Sequence, residues 1–384
     1  MSDERDAQFN NFQIGEDEGE SVTRTRFDES QMKEIDNPYQ NSSAPAEAES
    51  DSPVKPDSDG AEPSAEAKAE SAAVYYDEPS TAVKVIRTVV LVIAVIAFLI
   101  SAYIIFMHFY ESKKNKDEAQ KLAETVNVEE GNTSVGEDGV FEKYRTLIEQ
   151  NPDYVGWIRI PGTTINHPVV KSNDNAFYLH RGLDRKYDVR GTIFMDYRDH
   201  VDELCKNTIL YGHNNLDSTM FSDLELYKDI EFYREHPVIE FNTIYHNYKW
   251  KIISVFFANA DEQDDNGYAI NYIYPFMTDD SFEQYYQELL IRSLIYTTVE
   301  TNRTDKILTL STCTRDMDIK GRGETNARFV VVARMVREGE DESVQTAQAI
   351  YNPKPKHPQI WYDAHGQENP YLFSVRWYPE GVEY

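Results

Sequence analysis

The chain has 384 residues, with 38 basic and 67 acidic side chains, a formal net charge of -29 and two cysteines. A chain this acidic lacks the basic surface that a nucleic-acid backbone requires, so we expect no nucleic-acid partner. Two cysteines also cannot build a disulfide-rich scaffold or a four-cysteine zinc site. Composition therefore excludes these three classes of protein before any motif is considered.

The first part of the chain has the composition of a disordered tail. Residues 1–83 carry 21 acidic and 6 basic side chains, and the stretches 41–52 and 57–73 contain almost no large apolar residue. Such segments cannot bury enough apolar surface to offset the entropy lost on ordering. We therefore predict a disordered acidic N-terminal tail over 1–83, whose role the sequence does not indicate.

A transmembrane helix is predicted next, over residues 84–110. Twenty residues from Thr88 to Met107 carry no charge and are mostly Val, Ile, Leu, Ala and Phe. At the rise of an α-helix they span roughly 30 Å, the thickness of the hydrocarbon core of a bilayer. A buried core helix is the alternative, but soluble helices are rarely apolar on every face over this length.

Residues 111–139 then read as a polar stalk, and the pattern of the following segment, 140–337, is that of one mainly β domain. A short helix is predicted at 141–150 and ends at Asn151-Pro152-Asp153. Strand-like runs separated by turn residues follow at 156–160, 191–195, 208–211, 238–241, 248–257, 307–313 and 328–336. Seven or eight such strands predict a closed or nearly closed β-barrel. One helix at 280–295, capped by Asp280 or Ser281, is predicted to interrupt them.

The run 307–313 ends in a cysteine that is a candidate nucleophile. Alternation along the strand places Cys313 on a polar face with Thr309 and Ser311, opposite the apolar face of Leu308 and Leu310. A structural cysteine more often shares the apolar face. The pattern alone leaves both a reactive and a structural role open.

One of the nine histidines has a context that presents its side chain at the rim of a domain. His213 follows a strand and a glycine in Leu210-Tyr211-Gly212-His213. This placement makes His213 a candidate catalytic residue, but the pattern by itself fits an ordinary turn histidine equally.

An arginine is the third candidate. Arg328 opens the strand that follows Cys313 across a 14-residue loop, so antiparallel pairing of the two strands would place it beside Cys313. Arg334 would then lie about 20 Å away at the rise of a β-strand. Arg315 and Arg322 lie in the loop and are weaker candidates. An ordinary surface role is the alternative for each arginine.

No signal indicates a metal or a cofactor. The His, Cys and Asp residues show no metal-ligand spacing, and Gly321-Arg322-Gly323 lacks the third glycine of a dinucleotide-binding loop. We therefore expect neither a metal nor a cofactor. Cys205 could form a disulfide with Cys313, which would make both cysteines structural.

These residues together resemble a known family. Thr309-Leu310-Ser311-Thr312-Cys313 matches the TLxTC signature of sortases, the membrane-anchored cysteine transpeptidases of Gram-positive cell surfaces. The Tyr-Gly-His context of His213 and the position of Arg328 match the other two catalytic positions of that family, in its order His, Cys, Arg. The resemblance covers about 140–337, and the helix at 280–295 is similar to the extra helix of class B sortases.

The resemblance implies a mechanism and partners. Cys313 as a thiolate would form a thioacyl-enzyme, His213 would transfer protons, and Arg328 would hold the oxyanion or the substrate backbone. A class B enzyme would cleave an NPxTx-like signal on surface proteins and join the product to an amine of peptidoglycan or of its lipid-linked precursor. The family also keeps its N-terminus in the cytoplasm and its catalytic domain outside, although the basic residues that flank the span slightly favour the reverse.

Three functions remain in comparison at this point. A class B-like transpeptidase is our main interpretation. A pilin-polymerising sortase would use the same three residues with a protein lysine as acceptor, and a binding module on a sortase fold would have an inactive site. The segment 338–384 departs from the family and is rich in proline and aromatic residues, so we expect an extension that packs on the barrel and shapes access to its site.

Overall fold

The computed structural model describes residues 80–126, 134–261, 267–321 and 325–379. The predicted acidic tail lies outside the described residues, apart from its last few residues at 80–83. Those belong to the start of the first helix.

Helix α1 is a single 46-residue helix, Thr81–Val126. Its first 27 residues, Thr81–Met107, are strongly apolar and none of the apolar window is buried inside the protein, as expected for one membrane span by length and composition. The helix continues past residue 110, the predicted end of the transmembrane segment, and includes the first part of the predicted polar stalk. Its last residue, Val126, is 1 % exposed and packs with Phe141, Tyr144 and Leu147.

The domain that follows is a closed barrel of eight strands, in the order β1-β2-β3-β4-β8-β9-β6-β5. This confirms the predicted barrel. Its strands are β1 Tyr154–Arg159, β2 Asn166–Val170, β3 Phe194–Met195, β4 Asn207–Tyr211, β5 Val238–Thr243, β6 Lys249–Asn259, β8 Ile307–Cys313 and β9 Ala327–Met335. Two short strands, β7 Ile295–Tyr296 and β10 Ile350–Tyr351, pair outside the barrel. The remaining helices are α2 Arg145–Gln150, α3 Ile230–Glu235, α4 Asp279–Arg292 and α5 Gln359–His365.

The barrel interior and its outer face are both packed. Leu210, Leu310 and Val331 lie in register across β4, β8 and β9 and are fully buried. On the other face of the same strands, Val330 and Val332 pack in one cluster with residues of α4. Because both faces of β9 are covered, Val330, Val331 and Val332 are all buried and that strand does not alternate between apolar and polar residues.

Two predicted element boundaries were wrong. Helix α4 ends at Arg292, and Ile295, the predicted last residue of the helix, begins β7. The N-cap of α4 is Thr278 and not Asp280 or Ser281. The Thr278 side chain accepts a hydrogen bond from the backbone amide of residue 281. In the predicted run 191–195, only Phe194–Met195 is a strand.

Strand β2 was not predicted from the pattern, because Pro168 has no amide proton to donate to a sheet. The structure accommodates this proline because β3 pairs with β2 only at Val170. At Pro168 no β3 residue lies opposite, so no hydrogen bond to β3 is lost there.

The C-terminal segment packs on the barrel, as its aromatic content predicts. Trp377 joins the α4 cluster, with its ring 5.0 Å from that of Tyr285. The Tyr268 hydroxyl donates to the Trp377 carbonyl at 3.1 Å, and β10 pairs with β7. The segment therefore extends the core on the outer side of α4.

A buried ion pair fixes the end of β9 that lies away from the candidate site. Arg334 is 1 % exposed and donates to both carboxylate oxygens of Glu340, at 2.6 and 2.7 Å. Lys251 donates to Glu340 as well, at 2.7 Å. The hydrogen bonds from Arg334, with those from Lys251, outweigh burial and hold the pKa of Glu340 well below its usual range. Arg334 is thus a structural residue, consistent with its distance from Cys313.

We expect Glu340→Gln to lower the free energy of unfolding at neutral pH by about 3 kcal/mol, because it removes the hydrogen-bonded countercharge of the buried Arg334 and leaves only Asp305, at 3.9 Å. Folding lowers the pKa of Glu340, so its carboxylate stabilises the folded state fully at pH values above its unfolded pKa of about 4.3. This contribution is lost as the pH falls below that value towards the folded-state pKa. Urea unfolding of a 111–384 fragment at several pH values should therefore show the two proteins converging in acid. Glu342→Gln is the matched control, because the exposed Glu342–Lys249 pair is worth less than about 1 kcal/mol. Equal losses in both variants would contradict the assignment.

Candidate active site

Cys313 is the last residue of β8 and the only exposed residue of that strand, since the other six are buried. Buried neighbours hold the strand in place on both faces, so the backbone of Cys313 is fixed while its thiol reaches solvent. The strand therefore presents one reactive side chain from a rigid support.

Arg328 is the direct partner of Cys313 across the antiparallel ladder of β8 and β9. Directly opposed residues project to the same face of a sheet, with Cβ atoms about 5 Å apart. The Arg328 guanidinium donates to the Ala327 carbonyl at 3.0 Å and to the Asn326 side chain at 2.7 Å. These bonds leave part of its five-donor fork available to a substrate.

His213 flanks Cys313 on the other side. Strand β4 runs parallel to β8 with Tyr211 opposite Ser311, and the Thr312 hydroxyl donates to the Gly212 carbonyl at 2.8 Å. Continuing this register places the His213 backbone next to that of Cys313. A Cβ at Gly212 would lie 2.7 Å from the Phe221 ring, so only glycine permits this approach.

The His213 imidazole is oriented by its surroundings. Its Nε2 lies 2.7 Å from the Leu179 carbonyl oxygen, which can only accept, so Nε2 carries a proton and Nδ1 is the nitrogen that can exchange one. The ring also stacks on His180, with centroids 5.7 Å apart. Asn214 donates to the Cys313 carbonyl at 3.0 Å and ties the histidine turn to the end of β8.

A buried tyrosine supports the site from below. Tyr272 is 5 % exposed, and its hydroxyl lies 2.9 Å from the Ser311 hydroxyl. Ser311 lies two residues before Cys313 on the same face of β8. Burial raises the pKa of Tyr272; the Ser311 bond and the charge of Arg328 oppose the rise, and a charged Cys313 would add to it. The tyrosine therefore lies within electrostatic range of both residues.

Asp196 connects the strands that carry the site to the segment that carries Tyr272. This fully buried carboxylate accepts from Arg198 through two bonds of 2.8 Å, and from the Tyr211 hydroxyl at 2.9 Å. Arg198 donates in turn to the Ile273 carbonyl at 2.8 Å. Burial alone would raise the pKa of Asp196, but the bonds from Arg198 outweigh it and lower that pKa.

This arrangement can be compared with known proteins. A family model described as a sortase domain matches residues 158–336. Sortase B of Staphylococcus aureus is 33% identical over 251 residues, which cover 65% of this chain and 96% of that protein. Sortase B of Listeria monocytogenes is 35% identical over 234 residues, covering 61% and 92% respectively. The chain belongs to the sortase family, in class B.

The solved structures agree with this assignment. A crystal structure from Bacillus anthracis, described as similar to sortase B, matches 59% of this sortase and 96% of its own chain, at 31% identity and a TM-score of 0.50. Membership of the sortase family supports a transpeptidase activity for this chain. The family model ends at residue 336 and therefore does not include the C-terminal extension, 338–384.

The sequence pattern missed several residues that position the site of this sortase. Asn214 and the Leu179 carbonyl hold the histidine turn, and Tyr272 lies under β8. Asn214 could have been predicted from the sequence, because it directly follows His213. Nothing local marks Leu179 or Tyr272, because each reaches the site only through folding. Among the weaker candidates, Arg315 is exposed in the loop, and Arg322 lies outside the described residues.

The alternative of a disulfide between the two cysteines is wrong, since both are free. Cys205 precedes β4, whereas Cys313 ends the parallel strand β8, so the register separates them by about 20 Å. Burial, with the nearby charge of Asp199, raises the pKa of Cys205 to about 11. Within the described part of the chain, no group of three or more His, Cys, Asp or Glu residues is arranged to hold a metal ion.

We therefore expect a thiol-reactive alkylating reagent at about pH 8 to modify this sortase once, at Cys313. The raised pKa of Cys205 keeps that thiol protonated, and a protonated thiol is a poor nucleophile. Intact mass and peptide mapping would measure the adduct. Cys205→Ser is expected to retain the adduct and Cys313→Ala to lose it, whereas faster labelling of Cys205 would show that the two environments have been misassigned.

Proposed function

We propose that this class B sortase is a cysteine transpeptidase in which Cys313 is the nucleophile, His213 the proton-transfer group and Arg328 the group that holds the oxyanion or the substrate backbone. One observation carries the proposal. Three neighbouring strands, β4, β8 and β9, bring these residues side by side at one edge of the barrel, with the thiol exposed. A thiol, an imidazole and a guanidinium so placed are suited to acyl transfer.

The proposed reaction has two acyl transfers. The Cys313 thiolate attacks the carbonyl carbon of the scissile peptide bond, and the negative charge that forms on oxygen is held by the Arg328 donors. The carbon–nitrogen bond breaks as the imidazolium of His213 gives its proton to the leaving amine, which leaves a thioester on Cys313. An incoming amine loses a proton to neutral His213 and attacks that thioester; the carbon–sulfur bond breaks, a new amide forms, and the Cys313 thiolate and the His213 imidazolium are restored.

Membership of class B supports a proposal for the substrate and the acceptor. We propose an NPxTx-like sorting signal on surface proteins as the donor, and an amine of the cell wall or of its lipid-linked precursor as the acceptor. We further propose that α1 spans the cell membrane with the N-terminal tail in the cytoplasm and the barrel outside. The apolar segment Thr81–Met107 supports a span, and the location of sortase substrates supports the orientation.

The first test uses a fragment of residues 111–384, which retains the Val126 contact with the domain. We expect it to cleave an NPxTx peptide in preference to an LPxTG peptide and to transfer the acyl part to an added amine. Cys313→Ala is expected to abolish cleavage, because no other exposed thiol is available among the described residues. Product masses would measure both steps.

Cys205→Ser is the control for that test and is expected to keep wild-type turnover. Competing acceptors, a short glycine peptide and a lysine-containing protein segment, would separate a cell-wall transpeptidase from a pilin polymerase. Cleavage that survives Cys313→Ala, or no cleavage of any sorting peptide, would refute the proposal.

The second test concerns the arginine. Arg328→Lys keeps the charge but loses the planar fork of donors, so we expect kcat/KM to fall by about 10²–10³-fold, the usual cost of losing an oxyanion donor. Arg315→Lys changes an exposed arginine two residues beyond Cys313 and is expected to stay within about twofold of wild type. Similar losses in both variants would show that general charge near the site, not the Arg328 geometry, supports the reaction.

A further inference from the structure

A second concave site lies away from Cys313, where the C-terminal extension meets α4. It is a small concavity that is partly open to solvent. Eight of the ten residues that line it come from 356–376, beyond residue 336, where the sortase family model ends. The other two are Tyr268 and Arg292, so the barrel side supplies one wall and the extension supplies the rest.

The wall of this cavity is strongly basic, although the chain as a whole has a net charge of -29. The ten described residues that line it include Arg292, Lys356 and Arg376 and contain no carboxylate. Arg292 is 2 % exposed and Lys356 is 6 % exposed, so both charges are largely removed from water. Glu288 lies behind the wall, 3.1 Å from Arg292 and 3.6 Å from Lys356, and balances one of them.

The two guanidinium groups are held together on one aromatic ring. Arg292 and Arg376 lie 5.8 and 5.1 Å from the centre of the Tyr268 ring. Cation–π contacts of this kind orient the two guanidinium groups on the ring. The Ser374 hydroxyl lines the same cavity and adds a neutral donor.

A buried histidine in the wall has an unused polar atom. His357 is 5 % exposed, and its Nδ1 is buried without a hydrogen-bond partner in the described part of the chain. Its ring is fixed by stacking on Trp361, at 3.9 Å between centroids. Burial, and then the positive charges of His365 and Arg292, lower the pKa of His357 to about 3, so the ring is neutral. Either tautomer of a neutral imidazole can bond a hydrogen phosphate.

The rim of the cavity is apolar and exposed. Phe373 and Val375 are 96 % and 89 % exposed, and they alternate with the lining residues Leu372, Ser374 and Arg376. Apolar side chains beside a basic site are typical of a contact with the surface of a membrane. The chain also carries its own candidate membrane span at Thr81–Met107.

We propose that this cavity, lined by Tyr268, Arg292 and residues 356–376, binds a phosphate group, either on a membrane lipid or free in solution. A phosphate presents several acceptor oxygens and up to two negative charges, which suits a wall with three cations and donors from several directions. A carboxylate would have fewer acceptors and one charge. The site is remote from Cys313 in sequence and on different elements, so this proposal is independent of the cysteine chemistry.

The test uses the full chain in a phosphate-free non-ionic detergent. Inorganic phosphate is titrated and followed by calorimetry and by the melting temperature, with sodium chloride at equal ionic strength as reference. A parallel arm adds short-chain phosphatidylglycerol to the micelles. We expect saturable binding of at least one probe, and a loss of at least tenfold in affinity for Arg376→Gln. Lys354→Gln, which removes an exposed charge of the same segment outside the cavity wall, is expected to bind as wild type.

The two arms identify the source of the phosphate. Binding of phosphatidylglycerol that inorganic phosphate displaces assigns the site to a lipid headgroup, and binding of inorganic phosphate alone assigns it to a soluble phosphate. If Arg376→Gln does not fold, the ring resonances of His357 in labelled wild type decide, because a bound phosphate must shift them. No saturable binding of either probe, or binding unchanged in a folded Arg376→Gln variant, would overturn the proposal.

Discussion

The position of β8 between a parallel and an antiparallel neighbour is the constraint on which the rest of this sortase depends. Its register with β4 places the turn after Tyr211 beside the end of β8, and its register with β9 places Arg328 directly opposite Cys313. A slip of one residue on either side would turn one of these side chains to the barrel interior. The fully buried pair Leu310 and Val331 resists such a slip, because it would move apolar side chains out of the core.

Hydrogen bonds on the outer side of the barrel hold β4 and β8 to a neighbouring segment. Asp196 joins β4 to the segment 268–277 through Tyr211 and Arg198, and that segment places Tyr272 beneath Ser311. Asp196, Tyr272 and Ser311 are buried and hydrogen-bonded, so removing a partner from any of them has a large cost in free energy. Support for the reactive thiol thus comes from residues that are far apart in sequence and share one hydrogen-bonded network.

Charge is distributed unevenly along this chain. Much of the net charge belongs to the N-terminal tail, and the barrel keeps its internal cations paired, as Arg334 is with Glu340. The wall of the cavity beside the extension also gathers three cations, two of which lie near the buried Glu288. The extension thereby gives this class B sortase a polar surface that its shared barrel does not contain.

The sequence by itself determined the elements whose signals are local. Alternation and turn residues predicted most barrel strands, continuous apolar composition predicted the span, and the spacing of Cys313 and Arg328 predicted their pairing once antiparallel strands were assumed. The pattern could not predict β2, because Pro168 argues against a strand unless its unpaired side is known, and it placed the cap of α4 incorrectly. Only the tertiary structure decided which distant groups meet. Leu179 reaches His213, Tyr272 reaches Ser311 and Arg292 reaches Arg376 through closure of the barrel and packing of the extension, and no local pattern encodes such contacts.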